Sequence, residues 1–441
     1  MVASPAPVRT RFGGIRLVRA AAAFGIALST LALGVPTAAT AAGADDKGLW
    51  YYQDYGVSDA AAAGFTGKGV TVAVIDGLVN STVPALSGAN LEVRADSFCA
   101  ERDDNTVAVP AESKNFVDSA HGTDMVSFIA GNGDGVDSRT PAGVAPGAKV
   151  LYYAISYETS TGTQGCPMVG GGERNVLDGE AFGMASAIDE AIDAGARIIS
   201  ISVSNSFAPP ELTAAVARAV HEGVVIVAAR PNDTAPTRAR DIWGMNGVVT
   251  VQAMTPDGTI QASSAVADAA IDVVGPGVDV LALGNDFSRY TLSSGTSNAT
   301  SITAGYLAVV ASKYPDATGS QLIQSLIRNT GTEDHELSRD PKNYAGYGAV
   351  SLRHMLAVDP TAYEDANPLV TNDGSPSPEQ IADPTAAGPT TDPNGTASGG
   401  GSAIPVVPIV IGGVVVAAGV VTAIILARRR SAATTTRGPV A

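Results

Sequence analysis

Acidic residues are missing from both ends of this chain: no Asp or Glu stands before residue 42 or after residue 403, although eight of the 27 basic residues lie there. The body between them carries all 43 acids against the other 19 bases, a net charge of −24. A surface that acidic excludes nucleic acid as a partner, because phosphate backbones need compensating cations. Cysteine is almost absent as well, with only Cys99 and Cys166. Two thiolates cannot fill a tetrahedral zinc site on their own. Charged residues make up 16% of the chain and hydrophobic ones 45%. That balance excludes wholesale disorder and allows a substantial buried core.

The acid-free ends have their own patterns. Arg9, Arg11, Arg16 and Arg19 precede an apolar run from Ala20 to about Val35, with small residues around Ala39-Thr40-Ala41. This predicts a secretory signal peptide over 1–41. The run is interrupted by Ser29 and Thr30 and followed by Pro36, so it is a poor spanning helix, which needs about 20 apolar residues. At the other end, residues 404–427 contain no charge and Arg428, Arg429 and Arg430 follow directly. At about 1.5 Å per residue such a helix crosses a hydrocarbon core of about 30 Å. The arginines predict a cytoplasmic tail over 428–441 and a body held outside the cytoplasm at the cell membrane. In that oxidising setting a disulfide between Cys99 and Cys166 is the expectation.

Between about Asp359 and residue 403 the composition shifts to Pro, Thr, Asn, Asp, Gly and Ser, which predicts a linker without a core of its own. The folded unit is then expected over 69–358, preceded by an extension over 42–68. Within it, short β-branched runs (70–75, 150–155, 197–203, 224–229, 248–251) alternate with helical patterns at 183–194 and 211–222. Strands of continuous apolar character alternating with helices predict an α/β fold with a mostly parallel sheet and helices on both faces. In such sheets the loops after the strand C-termini build the site, and Asp76 stands where the first strand ends.

Four segments carry the residue types of acyl transfer: Val74-Ile75-Asp76-Gly77, His121-Gly122-Thr123, Ala228-Ala229-Arg230-Pro231-Asn232 and Gly295-Thr296-Ser297. A serine hydroxyl needs a histidine to take its proton and a carboxylate to hold the imidazole tautomer. Asp76, His121 and Ser297 supply these as catalytic candidates. Asn232 supplies a donor for the oxyanion. Each alone has a plainer reading as a cap or turn residue; the four together, in the chain order Asp, His, Ser, do not.

These segments resemble the motif blocks of the subtilisin-like serine peptidases. The likeness runs from about Gly69 to Ala357 and includes Gly143-Val144-Ala145-Pro146-Gly147-Ala148, Ser293-Ser294-Gly295-Thr296-Ser297 with Ala299-Thr300, Gly275-Pro276-Gly277 and Gly346-Tyr347-Gly348. The leader, linker and tail anchor are similar to those of mycosins, membrane-bound subtilases of type VII secretion. The resemblance implies a subtilisin-like three-layer fold plus one C-terminal transmembrane helix, peptide or protein substrates, and a membrane secretion assembly as a further partner. It also implies a substrate-binding strand at Ser202-Val203-Ser204, where the family carries Ser-Leu-Gly. Gly77 and Leu78 stand where Thr or Ser and then Gly are usual, Arg230-Pro231 where Ala-Gly is usual, and Ser301 where Pro is usual. No cofactor and no metal site is assigned. The 26 residues between Gly43 and Val70 are too few for a folded inhibitory propeptide, so Trp50-Tyr51-Tyr52 is expected to pack on the domain surface. The competing reading is a catalytically weak subtilase-fold scaffold subunit of a secretion complex.

Overall fold

The computed structural model describes residues 48–387, apart from 102–103, 134–142, 158–165, 170–175, 205–207, 233–240, 262–266, 285, 332–334 and 336. The expected signal peptide, transmembrane helix and cytoplasmic tail lie outside the described residues. Among the described residues no helix is long and apolar enough to cross a membrane. Every described residue belongs to one compact unit.

Seven strands form one parallel sheet: β1 (Thr71–Asp76), β2 (Leu91–Val93), β5 (Lys149–Ala154), β6 (Ile198–Ile201), β7 (Val225–Ala229), β8 (Val249–Met254) and β9 (Val273–Pro276). Their order is β2-β5-β1-β6-β7-β8-β9. Two hairpins lie outside it, β3 (Asp96–Ala100) with β4 (Ala108–Pro110) and β10 (Val280–Gly284) with β11 (Arg289–Ser293). The helices are α1 (Trp50–Gln53), α2 (Val57–Ala62), α3 (Phe116–Ala130), α4 (Val176–Asp193), α5 (Pro210–His221), α6 (Thr296–Lys313), α7 (Gly319–Arg328), α8 (Leu352–Ala357) and α9 (Pro378–Ala382).

Side-chain alternation in β1 shows how the layers form. Val72 and Val74 point to the face covered by α3, α6 and α7, whereas Ala73 and Ile75 point to the face covered by α4 and α5. Burial on both faces is what a continuous apolar strand requires. β1 has β5 on one side, in register Asp76↔Ala154, and β6 on the other, Ile75↔Ile201. The strand order reverses there, so a crevice opens beyond the C-terminal end of β1.

The N-terminal extension goes deeper than the expected surface packing. Tyr51 is fully buried, edge-on to Phe128 at 5.9 Å, and its carbonyl accepts the Tyr306 hydroxyl. The linker expectation also changes at its start. Residues 359–387 pack on the domain rather than extending from it: Asn246 donates to the carbonyls of Thr371 (2.8 Å) and Pro376 (3.0 Å) and accepts from the Thr371 N–H (2.8 Å). Gln321 and Gln324 hold Tyr363 (3.0 Å) and Ala366 (3.1 Å) in the same way. Polar side chains of the domain satisfy the backbone of this segment, so it orders with little apolar burial of its own. Cys99 and Cys166 form the disulfide, with Cα atoms 5.3 Å apart.

Candidate active site

Asp76 closes β1 with no exposed surface. His121 is carried by α3, which starts at Asn115, whose side-chain oxygen accepts the Val117 N–H (3.1 Å) as an N-cap. The helix brings His121 Nδ1 to 2.6 Å from Asp76 Oδ1, 45 residues away in sequence. The same Oδ1 accepts the Gly77 N–H at 2.7 Å. Asp76 Oδ2 is buried without a hydrogen-bond partner, which matches the absence of a hydroxyl at positions 77 and 78.

Ser297 sits in the first turn of α6, a helix with 16 of its 18 residues buried. Its hydroxyl donates to the Ser202 carbonyl (3.1 Å), and the Ser202 hydroxyl returns a bond to the Ser297 carbonyl (3.1 Å). The helix N-terminus directs free N–H groups and the positive end of the dipole at the same place. One of those N–H groups, that of Thr296, donates to Asn232 Oδ1 at 3.0 Å. With its oxygen held there, the Asn232 amide has its NH₂ left as donor.

Asp76, His121, Ser297 and Asn232 share one cleft of about 490 Å³, with Ser202, Val203 and Ser204 along its wall. The structure thus brings together every residue proposed from sequence for catalysis, oxyanion stabilisation and substrate binding. Ser301, where proline is usual, is not idle: its hydroxyl is 3.3 Å from Ser202 Oγ and 3.0 Å from Met125 Sδ, joining α6 to α3.

Two buried carboxyls near the site were given no role from sequence, although Asp124 ends the segment His121-Gly122-Thr123-Asp124. Asp124, one turn along α3 from His121, accepts the Leu283 N–H at 2.7 Å and ties the helix to β10; burial pushes its carboxyl up to about 8. Glu180 is buried on α4 behind Ser156, a residue of the cleft wall. Burial first, then the charges of Asp241 and Asp76, push its carboxyl up to about 7. Among the described residues no group of His, Cys, Asp and Glu is placed to hold a metal ion.

The Subtilase profile (peptidase S8) matches residues 67–348. Fervidolysin of Fervidobacterium pennivorans is 28% identical over 70% of this chain, which spans 43% of that relative. Subtilisin E of Bacillus subtilis is 28% identical over 63% of this chain, which spans 66% of it. The chain therefore covers less than two thirds of the length of either. Among solved structures, MycP1 from the ESX-1 type VII secretion system superposes with a TM-score of 0.54 at 21% identity, over 75% of this chain and 90% of that one. That likeness is one of fold. With the family model matching residues 67–348, well over half of its length, the chain belongs to the subtilases.

Proposed function

We propose that this chain is a membrane-anchored, extracytoplasmic serine endopeptidase that hydrolyses peptide bonds through an acyl-enzyme. The observation that carries the reading is the 2.6 Å contact of His121 Nδ1 with buried Asp76, at the floor of a cleft that also holds Ser297 and Asn232. Asp76 keeps the proton on Nδ1 and leaves Nε2 as the base. Ser297 rotates from the Ser202 carbonyl, gives its proton to Nε2 and attacks the scissile carbonyl. The oxyanion is met by Asn232 Nδ2 and the Ser297 N–H, an arrangement worth about 3 to 4 kcal/mol per donor. His121 then returns the proton to the leaving amine, and water repeats the sequence on the ester. Substrate backbone runs along Ser202-Val203-Ser204, which follow the end of β6 and line the cleft, in the manner of an added strand.

The apolar segment 404–427 supports anchoring, and the fold likeness to MycP1 supports a place beside a type VII secretion assembly. A second reading, a scaffold with little activity, draws on the unpartnered Asp76 Oδ2. A fluorophosphonate probe separates the two. Labelling of the wild type that disappears in Ser297→Ala and His121→Ala is the expected result; a folded wild type that takes no label leaves the scaffold.

A further inference from the structure

Arg230 stands two residues before Asn232 and is 1% exposed. A guanidinium is costly to bury unless its donors are used. Here Nη1 donates to the carbonyl of Pro231 at 2.7 Å, and the guanidinium carbon lies 5.8 Å from the centre of the Trp243 ring. Trp243 is itself buried, its carbonyl taking the Thr250 hydroxyl. The Arg230 main chain is held at both ends as well: its N–H donates to Val251 at 3.1 Å and its carbonyl accepts the Thr296 hydroxyl.

This arrangement bears on the residue that follows. The proline ring fixes φ at 231, and pinning the 231 carbonyl fixes the orientation of the peptide plane that leads into Asn232. Only a planar cation with several donors can cap a carbonyl and lie against an indole at once; an ammonium is a point charge.

We propose that Arg230 is a positioning residue that clamps the Pro231–Asn232 corner and so aims the Asn232 amide at the oxyanion. The inference rests on the peptidase reading above.

The test uses the full-length protein and the saturation kinetics of fluorophosphonate labelling, in which the phosphoryl oxygen takes the place of the oxyanion. Arg230→Met is expected to lower the maximal labelling rate at least about tenfold while the half-saturating probe concentration stays within about twofold, as for loss of transition-state contacts alone. In an Asn232→Ala background the same change is expected to cost less than about twofold, because the two residues act as a unit. Arg230→Lys, which keeps the charge, is expected to fall between and serves if Arg230→Met does not fold. An equal loss with and without Asn232, a change confined to half-saturation, or a wild-type rate in Arg230→Met or Arg230→Lys overturns the proposal alone. Absence of Ser297-dependent labelling in the wild type overturns the peptidase reading and this one with it.

Discussion

The Tyr152 hydroxyl occupies the space that a Cβ on Gly122 would need: the two would be 1.9 Å apart, with the Leu78 carbonyl at 2.6 Å on another side. That hydroxyl donates to the Gly77 carbonyl at 2.8 Å, so it braces the turn after Asp76 while α3 passes close enough to present His121. The glycine after the histidine is a condition of the Asp76–His121 distance.

Gly122→Ala is accordingly expected to cost about 1 to 3 kcal/mol, the usual range for overpacking, and to reduce probe labelling more than the loss of stability accounts for. Denaturant midpoints alongside labelling rates read the two effects. Adding Tyr152→Phe should restore only part, because the Leu78 carbonyl remains.

Gly77→Ser has the opposite expectation. A Cβ at 77 meets only the Ser156 carbonyl at 3.6 Å and Ser156 Oγ at 3.9 Å, ordinary contact, and its hydroxyl can reach the unpartnered Asp76 Oδ2. Satisfying a buried acceptor is worth about 1 kcal/mol, so the variant should label a few-fold faster and melt higher. A slower, less stable variant would show that Asp76 is already optimally held.

Glu180 makes stability depend on pH. Its carboxyl is held near 7 in the folded protein against an unfolded value of 4.5, so the folded state binds the extra proton between those limits. Stability from this group is therefore full below pH 4.5 and declines as pH rises through 7. Glu180→Gln removes that dependence, and its stability relative to the wild type should improve by about 3 kcal/mol between pH 4.5 and pH 8. Urea titrations of both proteins across that range measure it.

The disulfide closes a loop of 67 residues, for which the chain-entropy model gives on the order of 4 kcal/mol. It joins β3 to the segment that leads toward α4. Replacing both cysteines with serine should lower the melting temperature, and reductant should shift the wild type and leave the double variant unmoved.

Asn246 tests the packed C-terminal segment. Asn246→Ala leaves the Thr371 N–H and the Thr371 and Pro376 carbonyls without their partner, at a cost of about 2 to 3 kcal/mol if they stay dry. Proteolysis should then cut within 363–376 first, at Leu369 or Val370, which limited thermolysin digestion followed by mass spectrometry would show.

The catalytic candidates were legible because acyl transfer restricts residue types tightly and because β1 and β7 read as apolar runs, so Asp76 and Asn232 fell at or just after strand ends; Ser202 came from the family resemblance alone. Glu180 was not legible and Arg230 was legible only as a departure from the family pattern: their importance comes from burial, which no local pattern encodes for a charged residue. The packed segment 359–387 was missed for a related reason. Its partners, Asn246, Gln321 and Gln324, sit on distant elements and recognise backbone, so neither its composition nor any periodicity records the contact. The hairpins β3–β4 and β10–β11 fell outside the alternation of strand and helix that guided the reading.

The burial of α6 on every side has a practical consequence. A hydroxyl mounted on the first turn of a rod through the centre of the molecule keeps its place for as long as the centre stays solid. Heat inactivation and calorimetric melting should then follow one curve, with no interval in which the body persists and the Ser297 hydroxyl has drifted.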